Sequence, residues 1–169
     1  MTRLLHVEPL TAEAFSPFGD VIEVSDAARA IDINYGNTTR FHDLAVLDLD
    51  AAGGRAGVSI FRSSPLPQPF TVKVMEYHPK SSQAFVPLSP HPYLVVVAEK
   101  GPFDASRLRA FCAAPGQGVN YHAGTWHHFS LALDAVSDFL VIDRIADDDN
   151  CVEHHLGEDE RVTLTLPTG

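Results

Sequence analysis

The chain has 169 residues, 45% hydrophobic and 20% charged, with a formal net charge of −10 at pH 7. This is enough for one domain, expected to span residues 1–169, to build a core without disulfide staples. Acidity without any run of Lys or Arg argues against nucleic acid as a partner, and no stretch approaches the ~18 apolar residues that suit a membrane span.

The opening Met1-Thr2-Arg3-Leu4-Leu5-His6 has no apolar core of a secretion signal, and Cys112 and Cys151 form no CxxC pattern. Two free thiols in a reducing cytoplasm are the expectation. Thr11 ahead of Ala12-Glu13-Ala14-Phe15 reads as a short capped helix that ends by Gly19. From there the pattern is almost wholly β: Val21–Val24, Gly57–Arg62, Phe70–His78, Gln83–Leu88, Tyr93–Glu99, Leu108–Ala113, His127–Leu133 and Asp138–Arg144. These runs are short, rich in β-branched and aromatic residues, and bounded by Pro, Gly, Ser or Asp. The tract Ala51-Ala52-Gly53-Gly54 reads as a loop, and Asp147–Glu160 as an acidic connection before a last strand over Val162–Leu166. Many short strands and one short N-terminal helix predict an all-β fold, a closed barrel or jelly roll.

Alternation along a strand assigns faces. In Phe70–His78, the residues Phe70, Val72, Val74, Glu76 and His78 fall on one face, expected inward, and Lys73 and Tyr77 on the other. His127 falls in phase with Phe129, Leu131 and Leu133, which makes it the inward histidine, with His128 turned away. Arg62 shares a phase with Ile60 and Val58, so it is placed on an apolar face where an unpaired guanidinium would be costly.

Two segments concentrate the chemistry. Glu76-Tyr77-His78, then Gln83, and His122-Ala123-Gly124-Thr125-Trp126-His127 resemble the two halves of the cupin signature. The overlay puts Glu76, His78, Gln83 and His127 at the four metal-ligand positions. Two imidazoles, a carboxylate and an amide oxygen suit a divalent first-row ion, held less tightly than by the usual set. The alternative is a hydrogen-bonded polar cluster with no metal.

The likeness then sharpens. Glu76-x-His78-Pro79 with Gln83-Ala84-Phe85-Val86-Pro87, and Gly118-Val119-Asn120-Tyr121-His122 with Trp126-His127-His128, resemble the ureidoglycolate lyase family. Asn34 with Gly36, Arg40 with His42-Asp43-Leu44-Ala45, Arg62, Leu108–Phe111 and Asp138–Arg144 extend the resemblance from about Leu10 to Cys151. It implies a cupin-like barrel, a homodimer, nickel or another loosely bound divalent ion with no organic cofactor, and a place in allantoin catabolism. The implied reaction splits ureidoglycolate into glyoxylate and urea.

That reaction removes a proton from the substrate hydroxyl and delivers one to the departing nitrogen, work for which Glu76, His78 and His127 are the candidates. Arg is the preferred anchor for the substrate carboxylate because its fork pairs two oxygens. Arg62 and Arg40 stand as candidates, with Arg144 behind Arg62. Asn34 and Asn120-Tyr121 offer hydrogen bonds to the ureido group, Gln83 is a further substrate-binding candidate, and His122, in a turn, serves either substrate or backbone. Three other readings stay open: a cupin oxygenase or isomerase, a non-catalytic cupin that binds a small organic acid, and an amidohydrolase that releases ammonia from the same substrate.

Overall fold

The computed structural model describes residues 3–166. In chain order the strands are β1 (Arg3–Pro9), β2 (Gly19–Ile22), β3 (Arg29–Ile33), β4 (Thr38–His42), β5 (Arg55–Ser63), β6 (Thr71–Val72), β7 (Val74–Tyr77) and β8 (Gln83–Pro87). They continue as β9 (Tyr93–Ala98), β10 (Arg109–Ala113), β11 (Gly118–Tyr121), β12 (Trp126–His127), β13 (Leu131–Ala132), β14 (Ser137–Ile145), β15 (Val152–His155) and β16 (Val162–Thr165). The helix α1 (Ala12–Phe15) is capped as the sequence predicts, with Thr11 Oγ1 accepting from the Ala14 N–H, and it drops Phe15 into the core.

One sheet runs β15-β7-β12-β9-β10-β1-β16-β6, with β13 also on β9; a second runs β2-β11-β8-β14-β5. Strands β6 and β7 lie at or near opposite ends of the first order yet are joined by Lys73 alone, so that sheet curls back on itself. The result is the expected all-β, cupin-like barrel with a short N-terminal helix.

The curl explains why β9 reads as an unbroken apolar run instead of an alternating one. Leu94, Val96 and Ala98 enter a core with Val72, Met75 and Trp126. Tyr93, Val95 and Val97 enter a second core with Phe15, Phe85, Phe111, Tyr121, Phe139 and Val141. A strand buried on both faces has no polar side to show.

Two expected strands are interrupted, and each interruption reverses the phase. Phe70–His78 breaks at Lys73, whose carbonyl accepts from the Leu156 N–H at 2.9 Å. Glu76 and His78 keep the inward face, but Phe70 and Val72 belong with Met75 and Tyr77 in the other core. His127–Leu133 breaks after His127. That residue pairs with Val97, and Leu131 pairs with Leu94, so His128, Phe129 and Ser130 span what Val95 and Val96 span on β9. This one-residue excess, a β-bulge, turns Leu131 and Leu133 to the core opposite His127 and leaves Phe129 47% exposed.

Arg62 is also corrected. It does share a face with Val58 and Ile60, but that face is the outside of β5, where the two apolar side chains are 69% and 54% exposed. The acidic connection contains β15, and the Ala51–Gly53 tract is a single 3₁₀ turn. The hairpin β3–β4 turns through Asn34, Tyr35 and Gly36, all at positive φ, and is exposed over most of its length. Cys112 and Cys151 are free thiols.

Candidate active site

Cross-strand register builds the site. Side chains directly opposite in an antiparallel pair share a face, and His127 is opposite both Val97 and Glu76. All three therefore point into the core between the two sheets. From the second sheet Gln83 is opposite Tyr121, and Asp143 continues the inward phase of Phe139 and Val141. The polar ends of these strands meet at one mouth of the barrel, in a cavity of about 240 Å³ lined by His78, Ser81, Gln83, Asp143, Asn150 and Cys151, with Arg144 on its rim.

His127 is 1% exposed and lies flat against Tyr121, with ring centroids 4.3 Å apart and planes 5° from parallel. Its Nδ1 donates to the Thr125 carbonyl at 3.0 Å. That leaves Nε2 bare, 3.5 Å from Glu76 Oε1, sealed from solvent and without a hydrogen-bond partner. Burial lowers the His127 pKa and keeps the ring neutral. The neighbouring His127 ring, against the opposing pull of burial, holds Glu76 below the usual carboxylate range, so Glu76 is ionised at neutral pH. Cys151 Sγ donates to Glu76 Oε2 at 3.5 Å, and burial ahead of the Glu76 charge pushes that thiol up to about 11.

His78 is held at both nitrogens. Nδ1 lies 2.7 Å from the Asn150 carbonyl and Nε2 lies 3.0 Å from Gln83 Oε1. Gln83 Nε2 in turn donates to Asp143 Oδ2 at 3.1 Å, and a carboxylate can only accept, which fixes the amide with its oxygen toward His78. Both ring nitrogens of His78 thus face acceptor oxygens.

Ligand atoms of Glu76, His78 and His127 all lie within 4.8 Å of one another. A buried imidazole nitrogen without a hydrogen-bond partner, 3.5 Å from a carboxylate oxygen, offers a pair of ligand atoms that a cation would satisfy. The residues therefore fit a divalent ion, with Gln83 Oε1 nearby as a weaker donor.

Of the residues singled out from sequence, Glu76, His78, Gln83, Tyr121 and His127 come together. Arg62 is not with them: it makes a two-pronged pair with Asp138 at 2.8 and 2.9 Å on the outer face. Arg40 and Asn34 lie on the exposed hairpin, and His122 Nε2 is 3.0 Å from Asp20 Oδ2 in a half-exposed turn. Arg144 is buried but committed, to both oxygens of Asp148 and to the Ala51 carbonyl. Tyr121 is fully enclosed, and burial raises its phenol. His128 lies outside this cavity, and burial brings its pKa down to about 4. Asp143 was not singled out for the site. Its two-residue spacing from Val141 and Phe139 was the available signal, since an acid in phase with two core residues needs a partner.

A larger groove elsewhere on the surface, lined by Leu66, Phe70 and Phe129 among others, holds no such convergence of acid, base and amide. No helix among the described residues is long and apolar enough to cross a membrane.

A family model described as ureidoglycolate lyase matches residues 2–163. A Burkholderia mallei protein named ureidoglycolate lyase is 53% identical over 156 residues, covering 92% of this chain and 91% of that protein. A Pseudomonas syringae pv. tomato protein of the same name is 48% identical over 163 residues, covering 96% of this chain and 95% of that one. A third, from Pseudomonas fluorescens, is 49% identical over 163 residues, with 96% and 97% covered.

Proposed function

This chain belongs to the ureidoglycolate lyase family, and we propose that it splits its substrate at the Glu76–His78–His127 cluster, beside the cavity that His78 and Cys151 line. The protein is a carbon–nitrogen lyase acting on ureidoglycolate, which yields glyoxylate and urea. The reacting carbon carries a hydroxyl, a carboxylate and a ureido nitrogen. As the O–H proton leaves, the C=O of glyoxylate forms, the C–N bond breaks, and its electron pair takes a proton on nitrogen to give urea.

The observation that carries the assignment is the complementary surroundings of two neighbouring groups, a carboxylate and an imidazole whose nitrogens face acceptors. Glu76 is a carboxylate, ready to accept the hydroxyl proton. His78, with both nitrogens turned toward acceptors, is ready to donate one to the departing nitrogen. Proton transfer back from Glu76 to His78 restores the site. His127 positions Glu76, and the flat contact with Tyr121 fixes the imidazole. Gln83, which lines the cavity, is the candidate hydrogen-bonding group for the substrate, while Tyr121, fully enclosed, acts through its contact with His127.

With His78 Nε2 released from Gln83 and deprotonated, Glu76, His78 and His127 would hold a loosely bound divalent ion, with Gln83 as a weak fourth, and the family resemblance points to nickel. When bound, such an ion supplies Lewis-acid polarisation of a substrate oxygen.

We further infer a cytoplasmic homodimer working in allantoin breakdown as a single-domain enzyme. The exposed apolar outer face at Val58 and Ile60 supports self-association. The projecting hairpin supports it too, because an arm that crosses to a second copy gives Arg40 and Asn34 a route to the substrate carboxylate and ureido group.

The test is product analysis of the purified protein with racemic ureidoglycolate, with and without a chelator, measuring glyoxylate, urea and ammonia separately. Equimolar glyoxylate and urea is the expected result, with the chelator arm reporting whether the ion is essential. Ammonia without urea would make it an amidohydrolase, and no turnover with any metal would leave a binding module.

A further inference from the structure

A separate groove of about 700 Å³ lies between the Leu66–Phe70 segment, the His128–Phe129 bulge and Arg161. Its apolar wall includes Leu66, Pro69, Phe70 and Phe129, and its polar groups are Thr71, Lys73, His128 and Arg161. No acidic side chain lines it. In a chain of net charge −10, that is a local reversal of sign.

Thr71 Oγ1 is taken by Thr163 Oγ1 at 2.9 Å, but the two cations of the groove are unused. Arg161 Nε is sealed from solvent with no hydrogen-bond partner, and neither Arg161 nor Lys73 has an ion pair among the described residues. His128 is 3% exposed and held edge-on against Phe70 at 5.2 Å. Its Nδ1 meets the Phe129 carbonyl at 3.0 Å, so Nε2 is its free nitrogen, without a partner among the described residues. His128 is one of the residues that line the groove.

We propose that this groove is a second binding site, for an apolar or aromatic carboxylate. Arg161 and Lys73 hold the carboxylate, Pro69 and Phe129 cover the hydrocarbon, and His128 Nε2 meets a polar substituent. Ureidoglycolate, polar throughout, has no part that suits such walls. The groove shares Val74 and Phe129 with a narrow cavity that reaches Glu76 and His127, so the test must separate the two places.

The experiment is calorimetric titration of the full chain with 4-hydroxybenzoate and with its uncharged analogue 4-hydroxybenzyl alcohol. We expect one carboxylate bound per chain and about tenfold weaker binding of the alcohol. Arg161→Leu should weaken the carboxylate by about tenfold or more and Lys73→Ala by severalfold, while Glu76→Gln leaves it within about twofold. If Arg161→Leu does not fold, Lys73→Ala and Phe129→Ala, both at exposed side chains, carry the comparison. The proposal is overturned if wild type binds neither probe at millimolar concentration. It is also overturned if binding survives the groove variants, if it disappears in Glu76→Gln, or if Phe129→Asp dissociates a dimer whose second copy fills the groove.

Discussion

Asp143 decides which way Gln83 faces. Its carboxylate accepts the Gln83 amide N–H at 3.1 Å, and the amide oxygen is thereby presented to His78 Nε2 at 3.0 Å. Asp143→Asn would let the amide turn over and present N–H to the imidazole. We expect kcat to fall about tenfold while the melting temperature changes little, with the alkaline side of the rate profile displaced. A conservative Asp143→Glu should restore part of the rate; an unchanged profile in Asp143→Asn would remove Asp143 from the proton path.

Glu76→Gln keeps the shape and removes the proposed proton acceptor. Turnover should drop by roughly 10²–10⁴-fold with a near-native far-ultraviolet spectrum and cooperative melt. Full activity would take β7 out of the chemistry.

Arg62→Ala tests a residue that the structure sets apart from the cavity. Exposed pairs such as Arg62–Asp138 contribute little, so kcat and KM should both stay within about twofold. A raised KM with unchanged kcat would reinstate Arg62 as the carboxylate anchor.

Acid should destabilise the fold in a definite window. Burial brings His128 down from 6.5 to about 4 and lowers His127 as well, so the native protein keeps both rings neutral where the unfolded chain protonates them. The stability is complete above about pH 6.5 and is lost progressively as pH falls toward 4, because the unfolded state then binds more protons. The His128 part amounts to at most roughly 3 kcal/mol. Urea unfolding at pH 7 and pH 5 should show the loss in wild type and a smaller one in His128→Gln.

Much of this was legible in the sequence because local pattern and tertiary demand agree. The β-rich runs, the Thr11 cap and the inward phase of Glu76, His78 and His127 all follow from alternation and turn chemistry. What failed did so where a strand changes phase: Lys73 and the His128–Ser130 bulge each shift the parity by one, and no propensity marks either. The Arg62 reading failed differently. Val58 and Ile60 are apolar but lie on the outer face, and alternation alone cannot say which face of an edge strand is covered. Strands β1, β3, β4, β11 and β15 are stabilised by partners far away in sequence or by a turn at positive φ, and their own composition is too mixed to announce them.

The most direct test of the account is the pH dependence of kcat/KM for wild type, Glu76→Gln and His78→Gln on ureidoglycolate. Wild type should give a bell, Glu76→Gln should lose its acidic limb, and His78→Gln should lose its alkaline limb, each variant being slower by roughly 10²–10⁴-fold. Retention of both limbs in both variants at near-wild-type rates would contradict the assignment of Glu76 as base and His78 as acid.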